Sequence, residues 1–182
     1  MHRYVAFLRA INVGGHTVKM DRLRALFAEL GFERVETFIA SGNVVFDTDS
    51  ADAAGLEGRI EAHLKAVLGY EVATFLRTPG EVASAEAHVP FAGTAVVANA
   101  HGLYVGFLKS RPGKEAAGKL LALGGDVHAL ETHGRELYWA ANVPANESKV
   151  SGATLEKALG MGTTLRNITT VRKLAAKYPV AL

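Results

Sequence analysis

Apolar and polar positions along the chain follow two periods, and the switches between them mark out the elements. Residues 3–9, RYVAFLR, carry Val, Phe and Tyr in a loose alternation that favours a strand. Residues 20–30 put Leu23, Leu26, Phe27 and Leu30 on one helical face, with Gly31 where a C-terminal cap belongs. A β-rich run at 34–40, a turn at Ser41–Gly42–Asn43 and a returning strand at 43–48 make a hairpin pattern. Asp49 or Ser50 stands where a helix over 52–68 needs its cap; Leu56, Ile60, Leu64 and Leu68 share its face, and Gly69 ends it. A strand over 70–78 completes βαββαβ, the ferredoxin-like order.

A short helix from Pro79 to residue 88 and a small-residue connector over 89–102 follow. The pattern then recurs: a strand at 103–109, a helix opened by Pro112 and running to Leu123, a hairpin over 127–142 turning at His133–Gly134, a helix at 150–159 and a short strand at 162–166. A last helix over 167–178 closes the chain. The halves share element order with little residue identity, which predicts a degenerate repeat. In the first half Tyr4, Ala6 and Leu8 oppose Val5 and Phe7, and Val44 and Phe46 oppose Val45, so these strands are apolar on both faces. A sheet covered on one face alternates cleanly. The second face therefore needs a cover, and the second half is the obvious one. The expectation is an α+β chain with a ferredoxin-like subdomain at 1–78, a connecting helix and linker at 79–102, and a second α+β subdomain at 103–182, packed into one body.

Topology turns the first loop into a candidate site. The stretch AINVGGHTVK is longer than the roughly two to six residues usual between a strand and a helix. In the ferredoxin-like sheet, order 4-1-3-2, the end of the first strand lies beside the start of the third. Arg9, Asn12, Gly14, Gly15, Lys19, Ser41 and Asn43 are then expected at one edge. That edge offers a guanidinium, an ammonium, amides and a helix N-terminus, a donor set suited to phosphate or carboxylate. The helix end contributes only about 0.3–1 kcal/mol, so the side chains must supply the rest. The same residues also fit a purely structural role, with the asparagines bonding loop backbone and the glycines permitting a turn. A second donor-rich stretch, GMGTTLRNITTVRKL, contains Arg166 and Asn167; Thr164 or Asn167 there also fits a plain helix cap, and Lys149 in NESKVSG precedes another helix.

The stretch from Tyr4 to Phe46 resembles the opening of the bacterial family called domain of unknown function 1697, which reads approximately L-R-G-I-N-V-G-G, a helix, then S-G-N-V. The tail is similar too: SKV matches its S-K-L, and TTLRNITTVRKL its T-x-R-N-W-x-T-V-x-K-L. Ala10 stands for the family's glycine and Ile168 for its tryptophan, so the aromatic that a stacking role at the last helix would use is missing. The family motifs fall on Arg9, Asn12, Gly14, Gly15, Ser41, Gly42, Asn43, Lys149, Arg166 and Asn167. No activity comes with the resemblance.

Composition narrows the chemistry. Of 182 residues, 49% are hydrophobic and 21% charged, with net charge +2, an ordinary globular balance in which basic residues are dispersed. Nucleic acid is permitted but not implied. Without cysteine, disulfides, thiolate catalysis and Cys-based zinc sites are excluded. No apolar run reaches the roughly eighteen residues of a membrane span, and the first apolar run is broken at Arg9, so a cytoplasmic protein is expected. Nucleophile-elbow, P-loop, HExxH and dinucleotide motifs are missing, and neither cofactor nor metal is expected, although Glu131 and His133 can share a strand face. Three functions remain. The first is a binding module for a phosphorylated small molecule or nucleotide at the 9–19 loop and 41–43 turn. The second is a phosphoryl or acyl-phosphate hydrolase, reminiscent of acylphosphatase-like sites, with Arg9 holding phosphate and Asn43 orienting water. The third is RNA binding through Phe7 and Phe46 on an open sheet.

Overall fold

A computed structural model describes residues 1–39, 42–88, 90–91, 102–144 and 147–180. The elements are β1 (His2–Leu8), α1 (Met20–Glu29), β2 (Glu33–Thr37), β3 (Asn43–Thr48), α2 (Ala53–Leu68), β4 (Thr74–Arg77) and α3 (Pro79–Ala87). Then come β5 (Gly102–Leu108), α4 (Lys114–Leu121), β6 (His128–His133), β7 (Glu136–Ala141), α5 (Gly152–Leu159), β8 (Thr163–Asn167) and α6 (Ile168–Lys177). One order, βαββαβα, occurs twice. The chain divides into two compact units, Met1–Ala83 with Leu174–Leu182, and Ser84–Lys173. Most of the 89–102 connector lies outside the described residues, as does Ser41.

In the first unit the sheet order is β2-β3-β1-β4, every neighbour antiparallel. Tyr4, Leu8 and Phe46 meet Leu26 and Phe27 of α1 and Ile60 of α2 in one core. Phe32 stacks on Phe46 with centroids 4.2 Å apart. The opposite face is buried as well: Val5, Phe7, Val45 and Phe75 are each no more than 2% exposed. This agrees with the two-sided apolar pattern. It also leaves no aromatic surface for stacking bases, because Phe7 and Phe46 are both fully buried.

Two local expectations need correction. The cap of α2 is Asp52, whose Oδ1 accepts from Gly55 N–H at 3.0 Å; Ser50 Oγ instead accepts from Asp52 N–H at 3.2 Å. The strand expected over 70–78 narrows to β4, Thr74–Arg77. Ahead of it, Tyr70 donates its hydroxyl to Ile11 O at 2.8 Å, so that segment braces the first loop.

As an edge strand, β4 presents backbone donors with no strand partner, a liability that folded proteins block. Helix α2 supplies the acceptors: Thr74 N–H donates to Glu61 Oε1 and Leu76 N–H to Glu57 Oε1, both at 2.8 Å.

The second unit holds the sheet β6-β7-β5-β8, again antiparallel throughout. Leu108, Leu130 and Leu137 pack with Leu120 of α4 and Leu155 and Leu159 of α5. Its edge strand β8 uses the same protection, with Thr163 N–H donating to Glu156 Oε1 at 2.9 Å.

Strand pairing aligns the repeats residue by residue. Leu8 pairs with Thr74, and Leu108 with Thr163. Tyr4-Val5-Ala6-Phe7-Leu8-Arg9 then matches Tyr104-Val105-Gly106-Phe107-Leu108-Lys109, and Thr74-Phe75-Leu76-Arg77 matches Thr163-Thr164-Leu165-Arg166. The expectation of little identity between halves is therefore too pessimistic at these strands. The matched Arg77 and Arg166 are both buried, and each donates through Nη1 to the carbonyl of the preceding residue, at 2.8 and 3.0 Å.

Candidate functional site

The first unit gathers the expected residues at one end of its sheet. Phe7 pairs with Asn43, Leu8 N–H donates to Gly42 O at 2.8 Å, and Arg9 N–H donates to Ala73 O at 2.8 Å. Arg9 therefore emerges between the starts of β3 and β4. Gly42 has φ +78°, and a Cβ there would sit 2.9 Å from Ile11 Cγ2, so the hairpin tip packs tightly beneath the loop. Only glycine suits that combination of left-handed backbone and close approach.

The loop itself is held from inside. Asn12 Oδ1 accepts from Val18 N–H at 2.8 Å, closing the loop on itself. Tyr70 holds Ile11, and the His16 ring stacks on Tyr70 at 4.2 Å. Gly14 and Gly15 have φ +61° and +84°, and nothing lies within 4 Å of where their Cβ atoms would be. Arg9 and Lys19 are exposed, and Lys19 caps α1 with no side-chain bond over the helix end. The rim thus presents two cations and an open glycine turn on a braced loop.

Asn43 takes a different role. It is 1% exposed and donates through Nδ2 to Phe38 O at 2.9 Å, while Phe38 N–H donates back to Asn43 O at 2.9 Å. This fastens the end of β2 and does not present an amide to orient water. A cleft of about 260 Å³ beside Ala73 is lined by Glu61, Lys65 and Glu71, and Lys65 pairs with Glu71 at 2.8 Å, so it is no anion pocket.

Arg166 and Asn167 of the second donor-rich stretch belong to the second unit, and each bonds a neighbour within it. Arg166 is buried and donates to Thr164 Oγ1 at 2.8 Å; burial pushes its guanidinium down to about 10. Asn167 Oδ1 accepts from Thr169 N–H at 2.9 Å, which starts α6, the cap role the sequence also allows. Lys149 is exposed ahead of α5.

Two features of the second unit escape sequence reasoning. The first is a histidine pair: His88 Nε2 lies 2.6 Å from Glu131 Oε1, and His133 stacks on His88 at 4.3 Å. Glu131 Oε2 also accepts from Phe91 N–H at 3.1 Å. Glu131 and His133 do share a strand face, but His88 arrives from forty-odd residues upstream. Among the described residues, no group of three His, Asp or Glu is placed to hold a metal. The second is a cleft of about 580 Å³, lined by Arg111, Gly113, Lys114, Thr132, His133 and Gly134, with Pro112 and Ala117. The repeat alignment would have found it, because it lies where the first unit has its rim.

Among the described residues, no helix is long and apolar enough to cross a membrane. No curated protein matches the sequence. A solved structure described as the conserved bacterial protein SP0830 from Streptococcus pneumoniae aligns at TM-score 0.76, covering 98% of this chain and 98% of that one. Its identity is 22%, so the likeness speaks for the fold alone. The sequence matches a family over residues 1–138, a span that includes the first rim and stops short of Lys149, Arg166 and Asn167. The chain belongs to that family, described as "Protein of unknown function (DUF1697)".

Proposed function

We propose that this protein binds a phosphate-bearing small molecule or nucleotide at the rim formed by residues 9–19 and the Gly42–Asn43 tip. The observation that carries the reading is the braced loop. Asn12, Tyr70 and His16 hold its backbone from within, while Arg9, Lys19 and the left-handed Gly14–Gly15 turn remain at the surface. A loop fixed before the ligand arrives loses little conformational freedom on binding, so modest ionic contacts translate into affinity. Arg9 and Lys19 supply charge, and loop amides supply direction. Asn12 and Asn43 support the site without touching the ligand. The hydrolase alternative has no exposed Asn43 amide to carry it.

Titration calorimetry with phosphate, pyrophosphate, nucleotides and sugar phosphates tests this. At least one ligand is expected to bind saturably, with roughly tenfold weaker binding, or about 1.4 kcal/mol, in Arg9→Ala/Lys19→Ala. Asn12→Ala is expected to weaken binding through the loop and to lower stability by about 1 kcal/mol. Binding unchanged in the double variant removes the rim from consideration.

A further inference from the structure

The second unit carries its own cleft at the corner of the repeat that corresponds to the first rim. Its walls are the β5–α4 connection and the tip of the β6–β7 hairpin. The matching walls in the first unit are the β1–α1 connection and the β2–β3 tip, and Leu108 N–H donates to Arg135 O at 2.9 Å just as Leu8 N–H donates to Gly42 O at 2.8 Å. This corner encloses a volume of about 580 Å³, within the roughly 300–1,000 Å³ of small-molecule sites.

The lining settles which chemistry fits. Arg111 and Lys114 bring two permanent cations, His133 a third basic group and Thr132 a hydroxyl, and no carboxylate lines the cleft. Of the nearby acids, Glu115 pairs with Lys119 at 2.7 Å and Glu131 sits 2.6 Å from the far histidine, His88, while Glu136 Oε2 stands at the hairpin tip, 3.4 Å from where a Cβ on Gly134 would be. The His133 ring is fixed by its stack on His88, and Pro112 is buried beneath the turn, so the frame around the cations is rigid. A pocket of this size lined by Arg111, Lys114 and His133 is too large for a bare oxyanion and too polar for an apolar ligand.

We infer that the Arg111–Lys114–His133 cleft is a second binding site, taking a phosphate-bearing small molecule of nucleotide size. Arg111 and Lys114 meet the phosphate oxygens, Lys114 at the first turn of α4, and His133 donates from the hairpin side. This site stands on its own cavity and does not depend on the first rim.

Glycine amides give each corner a separate reporter, Gly14 and Gly15 for the first rim and Gly113 and Gly134 for the cleft. The test is a nitrogen–proton NMR titration of the full chain with AMP, pyrophosphate and inorganic phosphate, and with a short single-stranded RNA. Saturable shifts at Gly113 and Gly134 with AMP or pyrophosphate are expected, weakened at least tenfold in Arg111→Ala/Lys114→Ala and kept in Arg9→Ala/Lys19→Ala. Both targeted side chains are exposed, so unchanged melting temperature in each variant verifies the fold. No shift at Gly113 and Gly134 with any phosphate-bearing small molecule overturns the proposal, whatever happens at Gly14 and Gly15. So does response only to inorganic phosphate at high concentration. RNA shifting the same amides while AMP and pyrophosphate do not would reassign the cleft to nucleic acid and overturn it as well.

Discussion

The β1–α1 and β5–α4 corners begin from nearly the same strand, YVAFLR in one half and YVGFLK in the other, and diverge at the next residue. The first corner runs through residues 9–19 and spends Asn12 and Tyr70 on holding its own backbone. The second is short, turns on a buried Pro112 and opens into a cleft. Between these extremes the scaffold hardly changes. Both units keep the same strand order, a buried arginine on the fourth strand and a helix glutamate on the edge. Strand pairing and edge protection are constrained by backbone donors that need acceptors. Rims answer only to solvent and ligand, so they drift. A difference between the repeats inside the core therefore bears on packing, and one at the rim on what the chain leaves open to solvent.

The largest effect expected from breaking this comparison lies in the core, at matched positions 6 and 106. Ala6 is fully buried and keeps its methyl. At Gly106 a Cβ would meet Leu137 Cγ at 2.6 Å and Thr163 Oγ1 at 2.8 Å. Leu137 is fully buried and has no room to withdraw. Gly106→Ala is expected to cost about 1–3 kcal/mol through overpacking. Ala6→Gly costs about 0.5–1 kcal/mol through chain entropy and the lost methyl. Urea denaturation reads both. A neutral Gly106→Ala would show that the second core is looser than its distances say.

The edge glutamates come next. Glu57 is 6% exposed and serves the buried Leu76 N–H. Glu57→Ala is expected to cost about 1–3 kcal/mol, because the donor is left without an acceptor. Glu156 is only half-buried, and Glu156→Ala should cost about 0.5–1.5 kcal/mol. Hydrogen exchange at Leu76 and Thr163 separates the two, each amide accelerating only in its own variant. If both amides stay protected, the carboxylates are ornaments and the edges are shielded by something else.

What the sequence revealed follows the same division between backbone necessity and local choice. The βαββαβ order, the strand order and the meeting of Arg9 with the Gly42–Asn43 tip were legible because two periods and two turns allow few alternatives. Helix faces such as Leu56–Ile60–Leu64 were legible for the same reason. The direction of a polar side chain was not. Asn43 looked like a rim donor, yet its position on β3 beside Phe7 turns it into the protein to bond Phe38 O. Arg166 looked like another donor, but strand pairing puts it opposite Val105, where it is buried. The cleft was missed because its basic groups come from two separate stretches, 111–114 and His133, that only the repeat brings into register. The YVAFLR and YVGFLK match was visible in the sequence, and weighing it would have pointed there.

The smallest expected effect sharpens the comparison at one further matched pair, Phe46 and Trp139, which face Tyr4 and Tyr104 in register. Phe46 stacks on Phe32 and packs against Phe27. Trp139 instead donates its indole N–H to His128 Nδ1 at 3.3 Å, and His128 Nε2 faces Ser148 Oγ at 3.4 Å, whose hydroxyl donates to Val150 O at 2.7 Å. The chain Trp139 to His128 to Ser148 to Val150 runs in one direction only with a neutral imidazole protonated at Nε2. A second proton on Nδ1 would confront the indole N–H. Burial accordingly lowers the His128 pKa below its ordinary value of 6.5. Between the folded and unfolded values the unfolded chain holds more protons, so stability is present in full above about pH 6.5 and is lost as pH falls through the folded value. The urea midpoint is expected to drop between about pH 7.5 and pH 5.5 by more in the native chain than in His128→Phe. Trp139, the sole tryptophan, reports the same event directly: its fluorescence should change with acid while the chain stays folded, and should lose that change in His128→Phe. A midpoint difference that persists unaltered in the variant would assign the pH response to other groups and leave the second core no more polar in behaviour than the first.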